Sequence, residues 1–182
     1  MTAFRELVER HKKNIYYLAL DLSGNHFDAE DLSQEVFIRA LRSLKNFRGE
    51  AKFGSWLYRI TVNCHIDQRR KNQMKISSLH SHSNEESNKQ KDILLKDENG
   101  HNPEKRTEAT EIQKHIQAAL GKLTPREQSV FVLRHYRDLP IKEIARVLDV
   151  AEGTVKSLLF RALQRLQKEL SFYRPDLGLG KE

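Results

Sequence analysis

Apolar residues recur near the helical period of about 3.6 residues in two stretches of the chain, with a polar stretch between them. Ser, Asn, Lys, Glu and His dominate this polar stretch, residues 73–108, which contains no aromatic residue. Because so few apolar side chains cannot anchor a core, it predicts a linker. The pattern predicts an all-α protein of two small helical domains joined by a flexible linker. The boundaries we expect are 1–72, 73–108 and 109–174, with a tail at 175–182.

The first stretch predicts a helical unit with three segments. Apolar residues from Phe4 to Leu22 recur at the helical period until Ser-Gly-Asn at 23–25 breaks the pattern. Asp28 is a favourable N-cap for the next helix. The expected apolar stripe of that helix is Leu32, Val36, Phe37, Ala40, Leu41 and Leu44. After Arg48-Gly49, a third helix is marked on one face by Trp56, Leu57, Ile60 and Cys64 and runs into the basic cluster at 69–71.

The second stretch predicts a helix-turn-helix. Thr124, Pro125 and Glu127 supply an N-cap, a proline at the first helical position and a capping-box glutamate. Further on, residues 139–168 contain a short amphipathic helix, a tight turn and a longer helix with Val155, Leu159, Ala162 and Leu166 facing inward. The opposite face of that longer helix is polar and basic, which suits the major groove of DNA.

Composition limits the possible functions. The formal charge of +7 favours a polyanionic partner such as nucleic acid. The single cysteine excludes an internal disulfide and a multi-thiolate zinc site, which fits a reducing cytoplasmic setting. No apolar run approaches the roughly 20 residues of a spanning helix, so we expect no membrane insertion. We expect neither a cofactor nor a metal site, because the histidines lack metal-ligand spacing.

Residues 28–71 place an acid-headed amphipathic helix beside an aromatic and basic segment, which suggests a protein partner and a nucleic-acid partner. This block and the helix-turn-helix resemble, in order, the sigma-2 and sigma-4 domains of the extracytoplasmic-function sigma factors. These are compact members of the bacterial sigma-70 family, and the resemblance runs nearly end to end. It implies a promoter-specificity subunit that is not itself an enzyme, because the polymerase performs the catalysis. The implied partners are core RNA polymerase, promoter DNA and an anti-sigma factor.

The resemblance also implies roles for individual residues. The surface for core polymerase would be Asp31, Gln34, Glu35, Phe37 and Arg39. The residues for capture and melting of the minus-10 element would be Phe47, Arg48, Lys52, Phe53, Ser55, Trp56, Arg59, Asn63, Arg69 and Arg70. The residues for the minus-35 element would be Thr154, Lys156, Ser157, Phe160, Arg161 and Gln164. One departure is Ala151, where the family more often has a serine that caps the recognition helix.

Structural alternatives stand beside several of these roles. Trp56 lies on the apolar stripe of its helix and is equally well explained as a core tryptophan. Phe160 has the alternative of packing against Phe172 or Tyr173. Capping and the helix dipole explain Asp28 and are an alternative for Asp31, whereas Gln34 and Glu35 lie past the first turn and need another reason. The linker passes a geometric test, because about 33 extended residues reach roughly 110 Å and promoter elements about 25 base pairs apart span roughly 85 Å.

Two other functions fit parts of the sequence. A stand-alone helix-turn-helix regulator would use the amino-terminal unit to sense a ligand or to dimerise, but it would not need the paired block at 28–71. A metal-dependent nuclease could use Asp28, Glu30, Asp31 and Glu35, with His26. On a helix these carboxylates are spread around the axis, and no second acidic cluster converges with them.

Overall fold

The computed structural model describes residues 2–47, 49, 52–79 and 103–171, and all of its regular elements are helices. They are α1 (Thr2–Ser23), α2 (His26–Ser43), a 3-10 turn (Leu44–Asn46), α3 (Phe53–Leu79), α4 (Pro103–Gly121), α5 (Pro125–His135), α6 (Ile141–Leu148) and α7 (Glu152–Glu169). The predicted all-α class is confirmed over these ranges. None of the helices described is long and apolar enough to cross a bilayer.

The helices reach into the expected linker from both sides. α3 continues to Leu79 and α4 begins at Pro103. A helical backbone satisfies its own hydrogen bonds, so a polar segment that buries little can still extend a helix that is anchored elsewhere. The predicted tail and the central part of the predicted linker, with its Ile93-Leu94-Leu95 patch, lie outside the described residues.

The start of α2 differs from the sequence-based prediction. Asn25, not Asp28, is the N-cap, and its side chain accepts a hydrogen bond from the Asp28 backbone N–H at 2.8 Å. Asp28 lies in the first turn, where its Oδ2 accepts from Asn25 Nδ2 at 2.6 Å. Gly24, at φ 78°, makes the turn out of α1. Asn25 follows it directly and caps α2, so α2 begins at the next residue.

The capping box predicted for α5 is confirmed. The Thr124 hydroxyl accepts from the Glu127 backbone N–H at 3.3 Å, and the Glu127 carboxylate accepts from the Thr124 backbone N–H at 3.1 Å. Pro125 occupies the first helical position, where a missing N–H costs nothing. This box fixes the point at which α5 turns away from α4.

The amino-terminal helices have a core of their own. α2 packs against α1 and α3, and it buries Ala29, Leu32, Val36 and Ala40 on one face. Facing them are Ile15 and Ala19 of α1 and Leu57 and Cys64 of α3. Burial raises the pKa of the Cys64 thiol to about 11, so the thiol is protonated at neutral pH.

A second core joins the two halves of the chain. Its amino-terminal members are Leu18 and Leu22 of α1 and Val62 of α3, all fully or almost fully buried. Its carboxy-terminal members are Val130, Val132 and Leu133 of α5, Ile144, Ala145 and Val147 of α6, and Val155 and Leu158 of α7. We call this set the shared core. A third cluster, with Leu120, Leu123 and Leu166, holds α4 against α7.

Polar side chains complete the contact between the halves. Gln128 of α5 donates from Nε2 to the Leu22 carbonyl at 2.9 Å, which leaves its Oε1 to accept from His65 Nε2 of α3 at 3.2 Å. At the edge of the contact, Arg137 donates to the carboxylate of Asp21. Gln128 and His65 are both 3% exposed, so each depends on the other half of the chain for its hydrogen bonds.

His65 makes the stability of this arrangement depend on pH. Burial, aided by the nearby Arg69 charge and opposed by the Gln128 hydrogen bond, lowers the pKa of His65 from 6.5 to about 4. In the unfolded chain His65 is therefore protonated as the pH falls through 6.5, whereas in the folded chain it is protonated only near pH 4. The stability that neutral, buried His65 contributes is complete above its pKa in the unfolded chain, 6.5. It is lost as the pH falls towards its pKa in the folded chain, about 4.

We predict that His65→Gln lessens the fall in stability between about pH 7 and about pH 5, by about 2 kcal/mol relative to the unmodified chain. Urea unfolding followed by circular dichroism at each pH gives the two free energies. Equal pH dependence in the two proteins would show that His65 does not contribute to it.

Candidate nucleic-acid interface

An exposed stripe runs along α2 on the side away from its core. Asp31 and Gln34 are exposed at its amino-terminal end, and Ile38 and Leu41 follow at helical spacing with 44% and 53% exposure. We call these four residues the α2 stripe. The sequence-based prediction that Leu41 faces the core is wrong, because Leu41 lies about 100° around the helix from buried Ala40. The sequence-based prediction did not include Ile38. Its spacing of seven residues from Asp31 and four from Gln34 places it on the same side of the helix.

The other three residues expected at the polymerase surface flank the stripe. Glu35 accepts from Arg39 Nε at 2.6 Å, and Arg39 Nη1 donates to Asp67 of α3 at 3.0 Å. These hydrogen bonds, with Glu35 first, raise the pKa of Arg39 above its already high ordinary value. Phe37 packs against the amino-terminal core. Arg39 and Phe37 therefore fix the position of α2 while Asp31 and Gln34 face solvent.

Three aromatic rings from the expected minus-10 set pack on one another. The ring centroids are 5.0 Å apart for Phe47 and Trp56, 5.5 Å for Phe47 and Phe53, and 5.3 Å for Phe53 and Trp56. Such spacings are typical of aromatic pairs in protein cores. Phe53 and Trp56 also pack against the amino-terminal core, so the core alternative describes the position of Trp56 well. The cluster holds the turn after α2 against α3.

α3 carries a second exposed stripe. Arg59, Asn63 and Arg70 are exposed and recur at spacings of four and seven residues, so they share one side of the helix. Lys52, just before α3, is exposed as well. Arg48 lies outside the described residues. We call Arg59, Asn63 and Arg70 the α3 stripe.

Three residues of the expected minus-10 set contact the carboxy-terminal half. The Ser55 hydroxyl donates to Glu143 Oε1 of α6 at 2.7 Å, and Arg59 Nη2 donates to Asp149 Oδ2 at 2.9 Å. Arg69 Nη2 donates to the Gly121 carbonyl at 3.0 Å, and its half-buried position lowers its pKa. Ser55, Arg59 and Arg69 are therefore engaged by protein atoms in this arrangement.

α6 and α7 form the predicted helix-turn-helix. α6 ends at Asp149, which adopts a left-handed conformation at φ 57°, and the Val150 N–H closes the turn on the Ala145 carbonyl at 3.0 Å. α7 then begins after Ala151, which has N-cap geometry but makes no side-chain capping bond. Val155 and Leu158 of α7 enter the shared core, and this fixes the rotation of α7 about its axis.

The outward side of α7 collects the whole expected minus-35 set. Thr154, Lys156, Ser157, Phe160, Arg161 and Gln164 are all exposed. Four of them, Lys156, Ser157, Phe160 and Arg161, line one shallow surface hollow. Phe160 is 61% exposed at its centre, and its two proposed packing partners, Phe172 and Tyr173, lie outside the described residues.

Arg161 also lies close to a buried carboxylate of α5. The carboxylate of Glu127, 3% exposed, lies 3.9 Å from Arg161 Nε and 3.4 Å from Arg165 Nη1. The same carboxylate caps α5, so one buried acid links the start of α5 to two arginines of α7. Sequence reasoning identified the cap and missed this second contact, because the two helices meet only in three dimensions.

The acidic residues considered for a nuclease do not converge. Asp28 bonds Asn25, Glu35 bonds Arg39, and Asp31 is exposed on the α2 stripe. Within the described ranges, no group of three or more His, Cys, Asp or Glu side chains could hold a metal ion. The geometry instead defines a DNA-binding protein that presents a helix-turn-helix and a separate acidic and apolar stripe on α2.

Comparison with known families places the chain more narrowly. Residues 7–74 match the family model of sigma-70 region 2, and residues 113–166 match that of sigma-70 region 4. The chain is 33% identical over 168 residues to the ECF RNA polymerase sigma factor SigW of Bacillus subtilis, covering 92% of this chain and 89% of SigW. This chain belongs to the extracytoplasmic-function sigma factors of the sigma-70 family.

A longer relative gives the highest of the identities we cite. The chain is 36% identical over 172 residues to the ECF sigma factor SigE of Mycolicibacterium smegmatis, covering 94% of this chain but 63% of SigE. Among solved structures, the sigma factor RpoE of Bartonella quintana, in complex with the anti-sigma factor NepR, is similar with a TM-score of 0.69 at 22% identity. That match covers 94% of this chain and 98% of RpoE. CnrH, in complex with the cytosolic domain of CnrY, gives 0.60 at 22% identity and covers 93% and 88% of the two chains. At these identities the structures support the fold.

The uncapped start of α7 generates a stability prediction. Ala151→Ser places a hydroxyl at an N-cap position whose backbone already has the required extended conformation, so it should stabilise the chain by about 1 kcal/mol. Urea unfolding measures the change. Ala118→Ser, at an exposed position inside α4, is the control and should be neutral or slightly destabilising. A gain no larger at 151 than at 118 would mean that the hydroxyl does not cap α7.

Proposed function

We propose that this chain is an alternative sigma factor that directs transcription initiation from a specific set of promoters. In this role it binds core RNA polymerase and recognises the minus-10 and minus-35 elements. The observation that carries the proposal is the presence, in one sigma-70 chain, of an exposed α2 stripe and a helix-turn-helix with a fully exposed recognition face. A stand-alone regulator would need the second feature only.

The polymerase surface is assigned to the α2 stripe and its flanking residues. Asp31 and Gln34 offer acceptors to a basic partner, which gives orientation and association rate. Ile38 and Leu41 add exposed apolar area beside them, which gives contact energy that charges alone do not. Glu35, Phe37 and Arg39 hold the helix in place and border the contact.

The minus-10 element is assigned to the loop before α3 and to the α3 stripe. Unstacking a base costs a few kcal/mol, and aromatic stacking and base-edge hydrogen bonds offset that cost. Asn63 can both donate to and accept from a base edge, and it lies between two arginines suited to phosphates. The aromatic cluster of Phe47, Phe53 and Trp56 supports the loop from beneath.

The minus-35 element is assigned to the outward face of α7. Lys156 and Arg161 can reach phosphates or guanine edges in the major groove, and Ser157 and Gln164 can pair with bases. Phe160 can contact a thymine methyl group. These assignments correspond to a sigma-2 domain at 1–72, a linker at 73–108, a sigma-4 domain at 109–174 and a tail at 175–182.

Catalysis belongs to the polymerase, so the chain acts in the cytoplasm as a non-enzymatic subunit and needs no cofactor for this task. The Bartonella RpoE was solved with an anti-sigma factor, and we extend that type of control to this chain. An anti-sigma factor would act by covering the surfaces described above.

Lys156→Ala should weaken binding to minus-35 duplex DNA by about 1–3 kcal/mol if the lysine contacts a base edge. Fluorescence anisotropy with the polymerase-bound chain and a matching promoter duplex measures the loss. Lys168→Ala removes the same charge from another face of α7 and is the control. Equal losses for the two variants would reduce Lys156 to a general electrostatic contribution.

Asn63→Ala should leave closed-complex binding intact and reduce strand opening, because the amide acts on a base only after it has left the stack. Permanganate reactivity of promoter thymines measures the opening. Asn72→Ala lies about half a turn away around α3 and is the matched control. Reactivity at the level of the unmodified protein would exclude Asn63 from the melting step.

A further inference from the structure

A buried carboxylate lies next to two arginines of α7. The side chain of Glu127, in the first turn of α5, is 3% exposed. Its Oε2 accepts from the Thr124 backbone N–H at 3.1 Å, which fixes the position of the negative charge. Oε2 also lies 3.4 Å from Arg165 Nη1, and Oε1 lies 3.9 Å from Arg161 Nε. One carboxylate therefore faces two guanidinium groups.

The two arginines are held in place on α7 by buried neighbours. Arg161 and Arg165 are four residues apart, so they share one side of the helix. Each directly precedes a buried residue, Ala162 or Leu166, of the cluster that holds α4 against α7. The arginine side chains are 56% and 51% exposed. Each side chain therefore has one part near Glu127 and another part open to solvent.

Arg161 turns its Nε towards the protein. This nitrogen donates to the Ser157 carbonyl at 3.4 Å and is the one that faces Glu127. A guanidinium has five N–H donors, and a bidentate contact with guanine uses two of them. The contacts of Nε therefore orient the group without using its terminal Nη nitrogens.

The carboxylate also limits the positive charge that α7 can offer to DNA. A cation that neutralises a phosphate releases counterions, and each such contact adds about 0.9 to the slope of log K against log salt. Phosphates carry no sequence information, so these contacts strengthen binding to promoter and to unrelated DNA alike. A buried carboxylate is weakly screened by salt, so it competes with phosphates for both Arg161 and Arg165.

We propose that Glu127 is a positioning residue that sets the specificity of minus-35 recognition. It holds Arg161 and Arg165 back from phosphates and leaves the terminal nitrogens of Arg161 for a base edge. Binding to unrelated DNA is thereby weakened more than binding to the promoter. This inference rests on the proposed function. Arg165, which is outside the minus-35 set expected from the sequence, takes part through its contact with Glu127.

Glu127→Gln separates the charge from the helix cap. Glutamine also completes a capping box, because its amide oxygen can accept from the Thr124 N–H. The change therefore removes the negative charge and keeps the start of α5. Glu111→Gln removes the same charge from an exposed position of α4 and is the matched control for net charge.

Two duplexes are compared by fluorescence anisotropy, with the full chain bound to core polymerase. One duplex carries the upstream element of a promoter that run-off transcription with this chain has identified. The other is the same duplex with that element scrambled. Affinity for each is measured over a series of salt concentrations, and the polymerase contribution is common to all variants.

We expect Glu127→Gln to bind the scrambled duplex more tightly, by up to about eightfold at 0.1 M salt for each arginine released. The salt slope on that duplex should become steeper by about 0.9 per arginine. Affinity for the promoter should rise less, because Arg161 loses its orientation, so the ratio of the two affinities falls. Glu111→Gln should leave the slope and the ratio close to those of the unmodified chain.

A purely structural role of Glu127 gives a different result. Distortion of α7 would weaken binding to both duplexes without making the salt slope steeper, and that outcome would overturn the proposal. Equal effects of Glu127→Gln and Glu111→Gln would overturn it as well, since net charge alone would then explain the change.

Should Glu127→Gln fail to fold, as judged by circular dichroism, the cations of α7 supply the test. Arg161→Gln and Lys156→Gln each remove one positive charge from the same surface hollow. Because Glu127 already offsets part of the Arg161 charge, Arg161→Gln should lower the salt slope on the scrambled duplex less than Lys156→Gln does. Equal decreases would overturn the proposal.

Failure of the proposed function would look different. If run-off transcription with core polymerase yields no promoter, the function fails and the inference fails with it. Transcription from specific promoters, together with an unchanged affinity ratio for Glu127→Gln, would overturn the inference and leave the function standing.

Discussion

The burial of Leu18, Leu22 and Val62 against α5, α6 and α7 is the contact on which the remaining structure depends. It sets the relation between the two halves of the chain, and through Val155 and Leu158 it fixes which face of α7 is left to solvent. Each half is small, and small domains have little core to spare. Apolar side chains that either half would otherwise expose are instead covered by the other half. The result is a closed molecule in which the α2 stripe and the outward face of α7 are nonetheless exposed.

Polar groups add hydrogen bonds to this apolar contact. Gln128 and His65 are buried with their hydrogen bonds satisfied by the opposite half, so separating the halves must be accompanied by hydration of both. Ser55 and Arg59 also bond across the contact, where the Ser55–Glu143 bond is part-buried and the Arg59–Asp149 bond is exposed. The apolar and buried polar parts therefore contribute most to the contact, because an exposed ion pair such as Arg59–Asp149 adds little.

Local sequence patterns predicted the helices and several of their ends, because caps and periodicity act over a few residues. The Thr124 and Glu127 capping box and the outward stripe of α7 were predicted correctly. The α2 N-cap was assigned to Asp28 because Asn25 had been taken as part of the turn. Leu41 was placed inside because its apolar character was weighted above its angle on the helix. The shared core, the Gln128 bridge and the second role of Glu127 join residues far apart in sequence, and no local pattern contains that information.

Whether this chain directs transcription initiation is measured by run-off transcription with core RNA polymerase and the chain, on a pool of genomic promoter fragments from its own source. We expect specific transcripts that appear only when the chain is added, with start sites that share one pair of upstream elements. A complete absence of such transcripts, together with a failure to co-elute with core polymerase, would contradict the account. That result would favour the alternative that this chain is a stand-alone helix-turn-helix regulator.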